Sequence, residues 1–238
     1  MLWSILIAAV PERYHTVQPL LYSLLETQAV GRMSDIELLY LLDNKRRTVG
    51  AKRNALLDVA RGEWISFIDD DDMVADSYVR RIHDAILQAR RRVGPGTSSP
   101  IASDSPPDAG SGSVIGRALP DVICFGQRAT LQPHGVTHEC SYSLRHWRER
   151  PADSRRQLAP APGPDGKPLP HTLLWTGPPA HTMVWRREIV GDARFPEQQF
   201  GEDVAWVDAL CERAKVEMQL GGEPLYFYNF DEARSTTR

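Results

Sequence analysis

The chain has 238 residues, 42% of them hydrophobic, and a formal net charge of -3 at pH 7. This size and composition suffice for the core of one globular domain, and the charge provides no overall attraction to nucleic acid or to anionic membranes. The three cysteines, Cys124, Cys140 and Cys211, are odd in number and far apart, which argues against a disulfide framework and a structural zinc site. We therefore expect a globular protein in a reducing compartment, with a cytoplasmic location.

The first third of the chain alternates continuous apolar runs with helical periodicity. Leu2–Ala9, Ile36–Leu42 and Trp64–Ile68 are predicted strands, and the first is too short and too poor in basic residues for a membrane span or a signal. Amphipathic helices are predicted between and after them, one capped by Thr48 and one by Asp76. Apolar strands alternating with helices predict a parallel sheet that is covered on both faces and binds ligands at the carboxyl ends of its strands.

Four consecutive aspartates, Asp69–Asp72, follow the third predicted strand directly. We call them the aspartate run. Adjacent carboxylates repel one another and raise one another's pKa unless a positive charge neutralises them. Oxygen ligands suit Mg²⁺ or Mn²⁺, which keep coordination positions open for substrate phosphates. The alternative is an acidic turn that caps the next helix. Asp43, at the end of the second strand, lies at the same predicted edge of the sheet.

The rest of the chain is less regular. Gly94–Ser113 is built from Gly, Pro, Ser, Ala and Asp, so we expect a flexible insertion, and Pro151–Pro170 is predicted to be a second long loop. The predicted elements are a strand at Val122–Phe125, a hairpin of Ala129–Leu131 and Thr137–Leu144 that turns at Pro133–Gly135, a helix at Glu202–Ala214 and an aromatic strand at Leu225–Phe230.

Four stretches together resemble the family 2 glycosyltransferases, which have the GT-A fold. They are Ser4–Arg13, Gly50–Ala55, Gly62–Asp72 and Phe200–Trp206. The resemblance implies an α/β, Rossmann-like three-layer sandwich, with a mostly parallel central sheet and a smaller β-hairpin region on the acceptor side. It also implies a single domain in which residues 1–93 form the nucleotide-sugar-binding half, 94–113 an insertion and 114–238 the acceptor-binding half.

The resemblance also implies roles for individual residues in binding the donor. Asp69 and Asp71 correspond to the family's D-x-D pair and would hold Mn²⁺ or Mg²⁺, whereas Asp70 and Asp72 are open to either task. Lys52 lies in the opening turns of a helix whose N-terminus attracts phosphate, although a solvated basic face is the alternative. The implied donor-binding residues are Pro11, Arg13, Asp43, Lys52, Arg53, Asn54, Asp69 and Asp70.

On the acceptor side, the resemblance makes Asp203 the catalytic base of an inverting transfer. A base must stay ionised, which the first turn of a helix favours. The alternative is that Glu202 and Asp203 only complement the helix dipole. Glu202, His181 and Trp185 are the implied acceptor-side residues. Trp147, Trp175, Trp185 and Trp206 are further candidates for sugar or base contact, whereas the aromatic strand is expected to cover the core.

The predicted function is sugar transfer from a nucleotide-diphosphate sugar, with UDP as the favoured nucleotide. The acceptor is a glycan, a small molecule or hydroxymethylated DNA of the kind found in some bacteriophages, because arginine clusters can hold phosphates. Solvated charged faces explain the same arginines. Two further alternatives are a nucleotide-sugar-binding protein without catalysis and a nucleotidyltransferase, although Ala8–Arg13 lacks the glycine and lysine of a phosphate loop. The arginines concerned are Arg90–Arg92, Arg145, Arg148, Arg150, Arg155 and Arg156.

Overall fold

A computed structural model of the chain describes residues 1–93, 118–132, 136–149, 157–162 and 168–231. Its strands are β1 (Trp3–Ala9), β2 (Ile36–Leu42), β3 (Trp64–Asp69), β4 (Met73–Val74), β5 (Val122–Phe125), β6 (Gln127–Gln132), β7 (Val136–Tyr142), β8 (Gln157–Pro162), β9 (Pro168–Gly177), β10 (Val184–Arg186), β11 (Glu217–Leu220) and β12 (Tyr226–Asp231). Its α-helices are α1 (Tyr14–Tyr22), α2 (Val49–Val59), α3 (Tyr78–Val93), α4 (Leu144–Glu149), α5 (Arg187–Val190) and α6 (Glu202–Arg213).

The first sheet forms the middle layer of the protein. Its strand order is β11-β5-β10-β3-β1-β2, and β10 alone runs antiparallel to its neighbours. Trp3 packs on Tyr78 of α3, and Phe67 packs on Trp206 of α6, with ring centroids 5.7 and 5.9 Å apart. Because β1 and β3 are buried on both faces, continuous apolar runs form them. The predicted α/β class with a mostly parallel central sheet is confirmed.

The carboxyl ends of β1, β2 and β3 meet at one edge of this sheet. Parallel pairing places Ala8 beside Asp69, and the backbone N–H of Asp43 donates to the carbonyl of Ala9 at 3.1 Å. The residues that follow these strands therefore share one edge, as the alternation of strands and helices predicts.

Two later segments bring further polar side chains to this edge. In the antiparallel pairing of β10 with β3, Trp185 lies beside Ile65, and continuing that register toward the start of β10 places His181 opposite Asp69. Gly201 precedes α6 with a φ of +70°, a left-handed conformation that favours glycine. This turn starts α6 beside the same edge, so Glu202 and Asp203 occupy its first turn.

A second sheet, with strand order β4-β12-β6-β7-β9-β8, packs next to the first. The chain leaves the first sheet at the end of β5 and enters the second sheet at the start of β6, with Gly126 as the single residue between these strands. Pairing aligns Tyr226, Gln127, Cys140 and Trp175 in one row across β12, β6, β7 and β9. Of the strand pairs in this sheet, the sequence predicts only the hairpin, which corresponds to β6 and β7. The sequence does not predict the pairs of β12 with β4 and β6 or of β7 with β9, because they join segments that are far apart in the chain.

The prediction of a loop over the whole of Pro151–Pro170 is wrong. Within that range the structure contains β8 and the start of β9, and among the described strands β8 pairs only with β9. An edge strand tolerates proline because one side of its backbone needs no donors, so proline content alone does not exclude a strand. Residues 151–156 and 163–167 lie outside the described residues, as do the Gly94–Ser113 insertion and the Pro133–Gly135 turn.

The described ranges contain no helix that is both long and apolar enough to cross a membrane. The division into 1–93, 94–113 and 114–238 stays a prediction. Strands from either side of the insertion pair within the first sheet.

Candidate active site

A pocket of about 520 Å³ opens at the carboxyl edge of the first sheet. Its size falls within the range of small-molecule and cofactor sites. One side, which we call the charged wall, comprises Arg13, Lys45, Arg47, Lys52, Arg53, Asp69–Asp72, Glu202 and Asp203. The other side, which we call the second-sheet face, comprises Gln127, Ala129, Cys140, Tyr142, Trp175, Tyr226 and Tyr228. His181 and Thr182 also line the pocket.

Asp69 begins the aspartate run and is fixed by two basic side chains. Arg53 Nη2 donates to Asp69 Oδ1 at 2.6 Å, and His181 Nε2 lies 3.2 Å from Asp69 Oδ2. Burial disfavours the charge, but His181 and Arg53 hold the pKa of Asp69 well below its usual value. Asp69 is therefore an ionised carboxylate with a fixed orientation.

Asp70 and Asp71 share one guanidinium. Arg13 Nη1 lies 2.9 Å from Asp70 Oδ1 and 2.8 Å from Asp71 Oδ2, and the backbone N–H of Val10 donates to Asp70 Oδ2 at 3.1 Å. Burial raises the pKa of Asp71 to about 6, with Asp69 and Asp70 adding to the effect and Arg13 opposing it. Asp71 keeps 34% of its side chain exposed, so a cation in the pocket can reach this carboxylate and would stabilise its ionised form.

Asp72 is almost fully buried, and its partners lie on β12. Tyr226 Oη donates to Asp72 Oδ2 at 2.7 Å, and the backbone N–H of Asn229 donates to Asp72 Oδ1 at 2.9 Å. Tyr226 Oη also accepts from the backbone N–H of Asp69 at 3.0 Å. Asp72 thus ties the aspartate run to β12, which the sequence leaves open.

Lys52 supplies a positive charge inside the pocket. Thr48 Oγ1 caps α2 by accepting from the backbone N–H of Ala51 at 3.1 Å, and Lys52 lies in the first turn of that helix. The residue is only 4% exposed, and burial lowers the pKa of its ammonium group. Among the side chains that the structure describes, none forms an ion pair with Lys52. A buried cation near a helix N-terminus suits a bound anion.

Asp203 is linked to the aspartate run through one imidazole. His181 Nδ1 lies 3.6 Å from Asp203 Oδ2, while Nε2 of the same ring contacts Asp69. The neighbouring Glu202 is buried, and its Oε1 accepts from Arg53 Nη1 at 2.5 Å. Arg53 therefore bridges the carboxylates of β3 and α6 and holds the two parts of the charged wall together.

Four of the implied donor-binding and acceptor-side residues do not line the pocket, and neither do the candidate tryptophans Trp147 and Trp206. Asp43 Oδ1 accepts from the backbone N–H of Arg46 at 3.0 Å and so caps its own loop. The Asn54 amide donates to the Phe195 carbonyl and accepts from the Phe195 N–H, both at 2.9 Å. Trp185 is fully buried, and Pro11 begins a short helical turn. Their predicted ligand contacts stay predictions, and the contacts of Asp43, Asn54 and Trp185 are structural.

Sequence reasoning missed most of the second-sheet face. Tyr226 and Tyr228 alternate along β12, and both line the pocket, although the aromatic strand is predicted to cover the core. The sequence predicts Trp175 only as one of four tryptophans that could contact a sugar or a base. The alternation Tyr-x-Tyr was the available signal, because residues two apart share one face of a strand.

The residues present fit a divalent cation bound together with a diphosphate. In the described ranges, no group of three or more His, Cys, Asp or Glu side chains has the arrangement of a metal site. Mg²⁺ and Mn²⁺ bind through one or two carboxylates plus substrate phosphates, so they do not need such a group. Asp71, partly exposed and with a raised pKa, provides that kind of ligand.

The described arginines of the predicted phosphate-binding clusters lie away from the pocket lining. Arg90 Nη1 is 3.6 Å from Glu63 Oε2, at the start of β3, and the pocket lies at the other end of that strand. Arg145 pairs with Glu149, and Arg148 donates to the carbonyl of Ala214 at 3.3 Å. Arg150, Arg155 and Arg156 lie outside the described residues.

Part of the chain matches the model of a known protein family. Residues 4–98 match the family described as Glycosyl transferase family 2. This match confirms the recognition of the family from its sequence motifs. None of the curated proteins compared with the chain matches its sequence.

Solved structures of S. aureus TarS are similar in fold. Residues 1–349 of TarS match with 15% identity and a TM-score of 0.57, covering 96% of this chain and 60% of that one. The complex of this fragment with UDP matches with 14% identity and a TM-score of 0.58, covering 97% of this chain and 61% of that one. The complex with UDP-GlcNAc matches with 15% identity and a TM-score of 0.58, covering 98% of this chain and 59% of that one. The chain therefore spans about three fifths of the TarS fragment. At this identity the likeness establishes the GT-A fold.

Proposed function

We propose that this chain, a GT-A protein whose residues 4–98 match glycosyl transferase family 2, transfers a sugar from a UDP-sugar to an acceptor hydroxyl with inversion. The TarS complexes with UDP and UDP-GlcNAc support the choice of nucleotide. The acceptor carries a free hydroxyl and reaches the same pocket.

One observation carries this proposal: the aspartate run and Asp203 face the same pocket, separated by a single imidazole. His181 lies 3.2 Å from Asp69 on one side and 3.6 Å from Asp203 on the other. A site that only binds a nucleotide does not need a second carboxylate next to its metal-binding strand. This arrangement supports the proposal that Asp203 acts as a base on an acceptor at the reacting end of the donor.

Lys52 supplies positive charge that a diphosphate requires. Lys52 is buried in the charged wall without an ion-pair partner among the described side chains, whereas Arg13 Nη1 contacts Asp70 and Asp71 and offsets part of the charge of the aspartate run next to a bound diphosphate. A bound diphosphate would remove the cost of burying the Lys52 charge. Arg53, whose Nη atoms contact Asp69 and Glu202, acts as a positioning residue instead.

A divalent cation would be held by Asp71, with Asp69 close by in the same run. When bound, such a cation acts as a Lewis acid that stabilises negative charge on the departing diphosphate. Asp70 and Asp72 support this ligand set indirectly, because Arg13 and Tyr226 hold them in place.

In the proposed reaction the acceptor oxygen attacks the anomeric carbon, and Asp203 takes its proton. The new glycosidic bond forms as the bond between the anomeric carbon and the β-phosphate oxygen breaks, and UDP leaves with that electron pair. Asp203 fits the base because it lies in the first turn of α6 and lines the same pocket as the aspartate run. His181 Nδ1 lies 3.6 Å from Asp203 Oδ2 and helps to orient that carboxylate.

Nucleotide release from UDP-, GDP- and TDP-sugars, measured with Mn²⁺ and again in EDTA, tests this function. We expect hydrolysis of a UDP-sugar that falls roughly a hundredfold in EDTA and in Asp71→Asn, since Lewis-acid stabilisation is worth several kcal/mol. Asp76→Asn is the matched control, because Asp76 is exposed and does not line the pocket. Release that is equal in Mn²⁺ and EDTA, or absent with every donor, would contradict the proposal.

A further inference from the structure

The loop between β2 and α2 brings a lysine to the pocket in a backbone conformation that lysine rarely adopts. Lys45 has a φ of +63°, in the left-handed region that favours glycine. A glycine would adopt this conformation without strain, so the loop accepts strain at a residue whose side chain lines the pocket. Strained backbone of this kind is concentrated at ligand-binding sites, which makes the Lys45 ammonium group a candidate for contact with a ligand.

The surrounding loop fixes Lys45 in that conformation. Asp43 Oδ1 accepts from the backbone N–H groups of Arg46 and Arg47, at 3.0 and 3.4 Å. The backbone N–H of Asp43 donates to the carbonyl of Ala9 at 3.1 Å. These contacts close the turn that contains Lys45 and tie it to the end of β1, so Asp43 serves to present Lys45 at the pocket.

The Lys45 ammonium group pairs with a carboxylate that lies outside the pocket lining. Lys45 Nζ is 3.2 Å from Glu12 Oε1, and the two side chains are 54% and 61% exposed. Glu12 lies in the short helical turn after β1 and does not line the pocket. Because an exposed ion pair between two flexible side chains contributes little to stability, a competing anion can displace Glu12 from Lys45 at small cost.

A second lysine acts on the same carboxylate. Hydrogen bonds from its own backbone N–H and from Lys45 lower the pKa of Glu12, and the charges of Lys45 and Lys52 add to the effect. Lys45 and Lys52, which both line the pocket, therefore lie within electrostatic range of one carboxylate. Two ammonium groups in such a position repel one another unless an anion offsets their charge. Glu12 supplies that anion from outside the pocket, and a phosphate would supply it from inside.

We propose that Lys45 is a further donor-binding residue, and that Glu12 competes with the nucleotide for it. Binding exchanges the Lys45–Glu12 ion pair for a pair between Lys45 and a phosphate of the nucleoside diphosphate, next to Lys52. This inference rests on the proposed function and concerns how tightly the same site holds its nucleotide. Because the exchange reverses when UDP leaves, Glu12 also favours release of this product.

A double-mutant cycle on Glu12 and Lys45 tests the exchange. Calorimetry measures the affinity for UDP in MgCl₂ and about 0.15 M NaCl, where exposed charges more than about 8 Å apart are largely screened. We expect Lys45→Gln to weaken UDP binding about tenfold, and Glu12→Gln to strengthen it about threefold. In the Lys45→Gln background, Glu12→Gln should no longer strengthen binding, because the competition requires Lys45.

Two control variants and one control ligand accompany the cycle. Arg46→Gln removes an exposed positive charge from the same loop, and Glu26→Gln removes an exposed carboxylate, and neither residue lines the pocket. Both should bind UDP as the wild type does, which separates the exchange from a change in net charge. Uridine, which has the base and ribose of UDP without its phosphates, should bind equally to all variants and so reports on the integrity of the pocket.

Two results would overturn the inference. One is an unchanged UDP affinity in Lys45→Gln. The other is an equal gain from Glu12→Gln with and without Lys45, which would mean that Glu12 only repels the nucleotide. In both cases UDP binding by the wild type would leave the proposed function intact, whereas no UDP binding by the wild type would contradict both.

Discussion

The two sides of the pocket are stabilised in different ways. On the charged wall the carboxylates of Asp69, Asp70 and Asp71 each contact a basic side chain, and Arg53 contacts carboxylates of both β3 and α6. On the second-sheet face the side chains are neutral and largely aromatic. Electrostatic interactions fix the first side, whereas packing and strand register fix the second.

This difference separates the two parts of the proposed reaction. Charges close together in a buried site suit a diphosphate and a reacting hydroxyl, where charge moves during the reaction. A neutral aromatic face suits recognition of a ligand whose charge does not change. Substitutions on the charged wall should therefore alter stability, nucleotide affinity and rate, and those on the second-sheet face should alter mainly packing.

The largest effect on stability is expected at Arg53. Arg53→Met leaves the buried carboxylates of Asp69 and Glu202 without their shared cation, which should lower the free energy of unfolding by about 3–5 kcal/mol. Arg194→Met is the control, since Arg194 forms an exposed pair with Asp58 at 3.2 Å and should cost less than about 1 kcal/mol. Urea denaturation measures both, and equal losses would mean that the buried bridge does not hold the charged wall together.

A smaller effect is expected at Tyr226, where the two sides are joined. Tyr226→Phe removes the hydroxyl that bonds Asp72 and the Asp69 backbone, at a cost of about 1–3 kcal/mol for the buried groups left unpaired. Tyr142→Phe, on the same face, is the comparison. Thermal unfolding of the two variants provides the measurement, and a stable Tyr226→Phe protein with unchanged UDP affinity would show that the two sides are independent.

The smallest effect concerns pH. Burial, with Asp69 and Asp70, raises the pKa of Asp71 from 3.8 to about 6, so the folded protein binds this proton more tightly than the unfolded chain. The resulting stability is present below pH 3.8 and is lost as the pH rises to about 6. Partial exposure reduces the contribution to about 1–2 kcal/mol.

Urea denaturation in EDTA at about pH 4 and pH 7.5 measures this contribution as the difference between wild type and Asp71→Asn. Relative to the variant, the wild type should lose stability as the pH rises. A difference between the two proteins that stays constant with pH would contradict the raised pKa of Asp71.

The sequence predicted the strands that carry the aspartate run because their signals are local. Ile36–Leu42 and Val122–Phe125 have the predicted bounds, and the aspartate run ends a buried strand as expected. A continuous apolar run followed by polar residues is sufficient to place side chains at the carboxyl edge of a parallel sheet. Apolar runs and helix caps depend on residues that are neighbours in the sequence, so strands and helix starts can be predicted without knowledge of the tertiary structure.

The rest required tertiary contacts. The orientation of Asp72 depends on Tyr226 and Asn229, more than 150 residues away in the chain. Asn54 faces Phe195 instead of the pocket for a similar reason. The pairing of β8 with β9 overrides the proline content that predicted a loop, and strand register alone decides that Trp175 lines the pocket.

Transfer by Asp203→Asn tests the central claim most directly. The amide keeps the size of the side chain but does not take the acceptor proton at neutral pH, so the transfer rate should fall by roughly 10²–10⁴ while UDP affinity is retained. Glu212→Gln, an exposed change on the same helix, should transfer at the wild-type rate. An Asp203→Asn protein with wild-type transfer, or one that loses UDP binding in parallel, would contradict the assignment of Asp203 as the base.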